Sequence, residues 1–283
     1  MKTINSLSGG RTSSYIAANY PADFDVFALV RIEDERCRFP DEKVRQMVED
    51  RIGKPFIATA EDDKIIYTML DLEQYIGRAI KWVTGPTFDE VVEKGGGTLP
   101  NVRRRFCTTQ LKLNPIFDWW RETINEPSEF RIGFRANEMK RAKRMKEKTN
   151  ENGFLEMKAI IGKRGKRNKW GMIEWQKPTF PLIKDIIFKD QIQHFWKDKN
   201  VRFAPLNNCV GCFHQNEILL RKQYDWHKEK LNWFASKEGV KHPNDNWRGG
   251  KDLLKYKDIF KYNLQTELFQ DDFDECDSGY CGL

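Results

Sequence analysis

The first half of the chain alternates short apolar runs of β character with stretches whose apolar residues recur at helical spacing. Residues 3–7 (TINSL) read as a strand and 11–19 (RTSSYIAAN) as a helix. A second β-rich run covers 26–32. Residues 39–53 follow, with Val44, Met47, Val48 and Ile52 along one helical face. PFIATA reads as another strand, 64–83 as one long helix, and 129–134 as a further strand. Strands alternating with helices predict an α/β domain on a parallel sheet with helices on both faces.

Past residue 150 the pattern changes. Residues 150–169 are polar and basic and are expected to form a loop or extended excursion. FPLIKDIIFKDQIQHFW reads as a strand end followed by a helix. Residues 215–238 read as helical, with Ile218, Leu219, Tyr224, Leu231 and Phe234 as core contacts. GGG at 95–97 marks a loop, and the stretch after Phe269 is expected to be a mobile tail. There is no internal repeat. The expected division is an α/β domain over 1–205 and a helical extension with a cysteine-bearing tail over 206–283.

Composition narrows the class. Hydrophobic residues at 39% are ample for a packed core, while 32% charged residues point to a water-facing surface. No apolar run approaches the ~20 residues of a membrane span, so no membrane partner is expected. The N-terminus lacks the basic and apolar regions of a signal peptide, and the expected location is cytoplasmic. The net charge of +7 is clustered. KRAKRMKEK runs from Lys140 to Lys148 and KRGKRNK from Lys163 to Lys169. Two such runs make a nucleic acid, tRNA or DNA, a candidate partner, with solvated surface as the alternative.

SLSGGRTSS, residues 6–14, carries the first candidate chemistry. Two glycines between a strand and a helix let the backbone turn tightly and approach a ligand. The first N–H groups of the helix then point at that ligand, with the positive end of its dipole behind them. Ser8, Thr12, Ser13 and Ser14 add hydroxyls and Arg11 a cation, which describes a phosphate cradle. The alternative is an ordinary strand–helix connection. GFRANE ends a later strand, and in a parallel sheet Arg135 would face the Gly9–Gly10 turn and clamp phosphate.

The six cysteines suggest metal or redox chemistry rather than a disulfide framework. Cys209 and Cys212 form CVGC, a zinc half-site, a redox pair or two small buried hydrophobes. Cys276 and Cys281 lie among Asp, Ser, Gly and Tyr, where a swinging tail could deliver an attacking or resolving thiolate. The role of Cys37 is left open.

SLSGGRTSS resembles the SGGxxS pyrophosphate loop of the PP-loop adenine-nucleotide alpha-hydrolases. RRRFCTTQLKLNP, FRIGFRANEMKRAKR, and FPLIKDIIFKDQIQHFW with NNCVGCFHQ are similar, in order, to segments of the phosphoadenosine phosphosulfate (PAPS) reductase family. The resemblance covers most of residues 1–220. It implies a Rossmann-like PP-loop fold and a nucleotide site of Ser8, Gly9, Gly10, Arg11, Thr12, Ser13, Ser14, Lys112 and Arg135. The ligand would be ATP, with magnesium, or PAPS or adenosine phosphosulfate. It also implies that Cys107 joins Cys209 and Cys212 on a [4Fe–4S] cluster, or on zinc with His214 or a tail cysteine. Arg11 and Thr12 stand where thiolation enzymes carry lysine and aspartate, and Phe106 where cluster reductases carry a second cysteine. Two reactions follow. One is ATP-dependent adenylation coupled to sulfur transfer, with a sulfur donor protein. The other is reduction of PAPS by Cys281 or Cys276 with a thiol reductant, Arg135 assisting either. A nucleotide-binding regulator is the third reading.

Overall fold

The structure, a computed structural model, describes residues 1–102, 104–205, 209–249 and 254–261. The chain opens β1 (Thr3–Leu7), α1 (Arg11–Asn19), β2 (Phe24–Ala28), β3 (Arg31–Ile32), α2 (Glu42–Ile52) and β4 (Ala58–Thr59). It continues α3 (Lys64–Ile76), β5 (Ile80–Val83), α4 (Phe88–Lys94), α5 (Phe106–Thr108), α6 (Asn114–Thr123), β6 (Ser128–Arg131) and α7 (Met139–Lys146). β7 (Leu155–Arg164), β8 (Arg167–Thr179), α8 (Pro181–Lys184), α9 (Lys189–Trp196), α10 (Glu217–Trp226), α11 (Lys228–Ser236) and α12 (Tyr256–Ile259) complete it.

Two compact units are drawn from interleaved parts of the chain. The first comprises Met1–Phe27, Met69–Lys81 and Ile116–Val201. Its frame is a six-stranded sheet in the order β5-β2-β1-β6-β8-β7. β1 pairs in parallel with β2 and β6, and β6 with β8, while β7 runs antiparallel to β8. The fold is therefore α/β on a mostly parallel sheet, as the alternation predicts. The central strand β1 is buried at Ile4 and Asn5. Asn5 Nδ2 donates to Asp25 Oδ1 at 2.8 Å, and Arg78 donates to Asp25 Oδ2 at 2.8 Å and to the Ala17 carbonyl. A buried carboxylate is tolerated because each oxygen has a donor.

Aromatic packing anchors the far side of the sheet. Trp175 of β8 meets Phe130 of β6 at 5.0 Å between centroids and Phe117 of α6 at 5.4 Å, both edge to face. Such pairs add about 0.5–1.5 kcal/mol each beyond the area they bury.

The second unit comprises Ala28–Thr68, Trp82–Pro115 and the described residues after Arg202. β3 and β4 form a two-stranded antiparallel ribbon, Arg31 opposite Thr59. Its core gathers Val30, Ala60, Phe88, Leu111, Val210, Leu231, Phe234, Trp247 and Tyr256. Phe88, placed by a capping box between Thr87 and Glu90, presents its ring to Trp233, Phe234 and Trp247 at 5.6–5.9 Å.

Several expectations are corrected. The run 26–32 is two strands in two sheets, because the chain leaves β2 at Ala28 and re-pairs at Arg31. The long helix over 64–83 ends at Ile76, where Gly77 takes φ +63°, and 80–83 becomes strand β5. Residues 150–169 take the extended alternative rather than the loop: most belong to the β7–β8 hairpin. FPLI starts with the short helix α8, not a strand end. The helix over 215–238 is two helices broken at His227, and Ile218 is exposed while Leu219 and Leu220 are buried. Among the described residues no helix is long and apolar enough to cross a membrane.

Candidate functional site

The first candidate site is the β1–α1 loop of the first unit. Gly9 takes φ +80°, a conformation that favours glycine, and Gly10 follows in extended backbone as the N-cap of α1. No side chain caps the helix, and its first turn carries no acidic residue. The first turn of α1 thus opens behind a residue with no capping side chain, at the positive helix end. Ser13 Oγ accepts from Ser8 N–H at 3.1 Å, lies 3.2 Å from Ser8 Oγ, and donates to the Gly10 carbonyl at 3.1 Å. One hydroxyl therefore ties both sides of the turn together. Ser14 is fully buried, and its Oγ has no hydrogen-bond partner among the described residues. The carbonyl of Arg11 accepts from Trp196 Nε1 at 3.0 Å, fixing the helix start against α9.

The segment that carries the strand-end arginine reaches this loop at Gly133. β6 is the parallel neighbour of β1, and a Cβ on Gly133 would lie 3.3 Å from Thr12 Cγ2. Glycine at 133 lets the GFR segment approach the start of α1. Arg135 is almost buried, and its N–H and Nε both donate to Glu138 Oε2, at 2.8 and 3.1 Å. Arg141 donates to the other oxygen of Glu138 and lies over the Phe134 ring at 4.2 Å. Burial opposes charge on Glu138, but hydrogen bonds and cations from Arg135 and Arg141 outweigh it and hold its carboxyl below the usual range. Glu138 therefore positions Arg135, a role the sequence pattern does not assign.

The second candidate site lies within the second unit. Cys107, Cys209 and Cys212 line one pocket, with Arg105, Lys112 and His214 on its wall. The CVGC turn is rigidly set. Val210 N–H donates to the Ala60 carbonyl at 2.9 Å and Cys212 N–H to the Cys209 carbonyl at 2.9 Å. Tyr256 Oη donates to the Gly211 carbonyl at 2.9 Å. A Cβ on Gly211 would fall 2.4 Å from the Phe234 ring, so glycine is required at that position.

Lys112 stands in a short π-helical stretch, Thr109–Leu113, between α5 and α6. Its Nζ donates to Glu61 Oε1 at 2.8 Å, and Glu61 is fully buried. Oε2 of Glu61 has no partner among the described residues. The structure thus places Lys112 with the thiols of the second unit, whereas the loop and Arg135 belong to the first. Glu61 is not singled out by the sequence; its signal is that it is the first of three acids, EDD at 61–63, that end the run 56–60.

The donor chemistry of the pocket suits a thiophilic metal: three thiols plus an imidazole that burial, then Arg105, pushes down to about 4 and keeps neutral. Among the described residues no three His, Cys, Asp or Glu side chains already lie within metal-holding distance of one another. None of the four described cysteines forms a disulfide. Cys37 is buried, and burial pushes its thiol up to about 11, which suits a packing role. Cys276 and Cys281 lie outside the described residues.

No protein-family model, curated protein or solved structure matches the chain.

Proposed function

We propose that the chain is a PP-loop enzyme of the PAPS reductase type that binds an adenine nucleotide at the β1–α1 loop. The favoured reaction uses ATP to adenylate a substrate that then receives sulfur. One observation carries the reading: the start of α1, behind Gly9 and Gly10, braced by Ser13 and approached at Thr12 by Gly133, two residues before Arg135. That is the arrangement a phosphate group asks for, N–H donors and a cation fixed before the ligand arrives. ATP supplies the phosphates, and positioning with charge neutralisation carries most of such chemistry. Sulfur handling falls to the cysteine pocket. Cys107, Cys209 and Cys212 would hold an iron–sulfur cluster, or with His214 a zinc ion, and such a group when bound supplies a metal that can carry sulfur.

The test compares two nucleotides. Pyrophosphate and AMP formed from ATP support adenylation. Sulfite formed from PAPS with a thiol, and abolished by Cys281→Ser, would replace it with reduction. A protein that binds nucleotide and yields neither product would be a regulator.

A further inference from the structure

The second basic run does not lie on the body of its unit. β8 pairs with β6 only from Gln176 to Thr179, so its residues 167–175 continue beyond the sheet with β7 alone as partner. Nine residues of strand make an arm about 30 Å long. Its root is fixed: Trp175 is buried in the aromatic block, Ala159 is buried, and Arg121 of α6 donates to the Ile160 carbonyl. From residue 161 to 170 every position is exposed.

Two features of that exposed arm call for a partner. Its tip brings together Lys163, Arg164, Lys166, Arg167 and Lys169, with Arg164 directly opposite Arg167. None of these five forms an ion pair among the described residues. Like charges held face to face repel, and a polyanion relieves that repulsion. The first basic run differs, since Arg141 is engaged by Glu138 and Lys146 lies over Phe180. Beside the tip stands Trp170, 55% exposed, with Lys158 over its ring at 5.9 Å and Met172, 56% exposed, on the same face. Cations alone could serve to keep a bare strand edge from aggregating. A large uncovered indole set among them does the opposite, so edge protection does not account for the pair.

We propose that the β7–β8 hairpin is a binding arm for single-stranded nucleic acid, its tip cations on successive phosphates and a base stacked on Trp170. Charge with an aromatic platform is the combination that fits unpaired strands, because every base offers a ring face once it leaves a duplex. The inference goes beyond the nucleotide reading and stands whether or not the β1–α1 loop takes ATP.

The experiment is fluorescence anisotropy of the full chain, without nucleotide, against labelled 20-mers of thymidine and of uridine and against a duplex of equal length. Five phosphate contacts predict an affinity loss of about 100-fold between 50 and 200 mM salt. Replacing the five tip cations by glutamine should remove that salt dependence. Trp170→Ala should weaken either single strand by about 5- to 100-fold, with Trp170→Phe restoring most of it. All six positions are exposed, so thermal unfolding should stay unchanged and serve as the folding control. The proposal is overturned by unaltered binding in the tip variant, by a duplex preferred over both strands, or by binding to anionic vesicles alone. ATP binding measured on the same samples reports on the nucleotide reading separately.

Discussion

The β1–α1 loop and the CVGC pocket are built on opposite principles. The loop is made of backbone: two glycines, a helix start without a cap, and one serine hydroxyl that closes the turn. The pocket is made of side chains packed so closely that Gly211 has no room for a methyl group. The difference teaches where each site should be vulnerable. Side-chain changes in the loop should spare the fold and touch ligand binding, whereas changes round the pocket should act first on stability.

The largest expected effect is at the buried pair of the pocket. Lys112→Met leaves the Glu61 carboxylate fully buried and without its cation, and should cost about 3–5 kcal/mol in urea unfolding. Adding Glu61→Gln should recover much of that loss. Next comes Gly211→Ala, whose new carbon would overlap the Phe234 ring and should cost about 2–3 kcal/mol by the same measurement. A cost near zero in both would dissolve the contrast between the sites.

A smaller effect is a pH dependence beneath the pocket. Glu238 accepts N–H bonds from Trp247 and Tyr256, and burial pushes its carboxyl from 4.5 up to about 7. Between those values the folded chain keeps a proton that the unfolded chain has released. Its contribution to stability is therefore present below pH 4.5, is lost as pH rises to about 7, and stays lost above. After discounting for partial exposure the change is about 2 kcal/mol. Glu238→Gln should flatten the difference in unfolding midpoint between pH 5 and pH 8 relative to the parent chain.

Local patterns were the legible part of the fold. β1 and α1 match the bounds read from periodicity and the Gly-Gly break. The strand read over 129–134 follows the alternation of Phe130, Ile132 and Phe134, but the paired strand β6 stops at Arg131. What escaped depends on tertiary context. Residues 80–83 carry an apolar phase compatible with the preceding helix, and only the left-handed Gly77 and pairing at a sheet edge make them β5. The β7–β8 arm hid because its distal half is exposed on both faces, so alternation carried no signal there. Among site residues, the glycines and serines of the loop could be read from chain order. Glu138 and Glu61 could not, since each acts by holding a cation whose position only the fold supplies.

Nucleotide binding at the β1–α1 loop, as proposed, depends on backbone set by Ser13. Calorimetric titration with ATP of the parent chain and of Ser13→Ala tests it most directly. Saturable ATP binding is expected, weakened about tenfold in Ser13→Ala while unfolding shifts by no more than about 1 kcal/mol. A folded parent chain that binds neither ATP nor PAPS, or a Ser13→Ala variant with unchanged affinity, would contradict it.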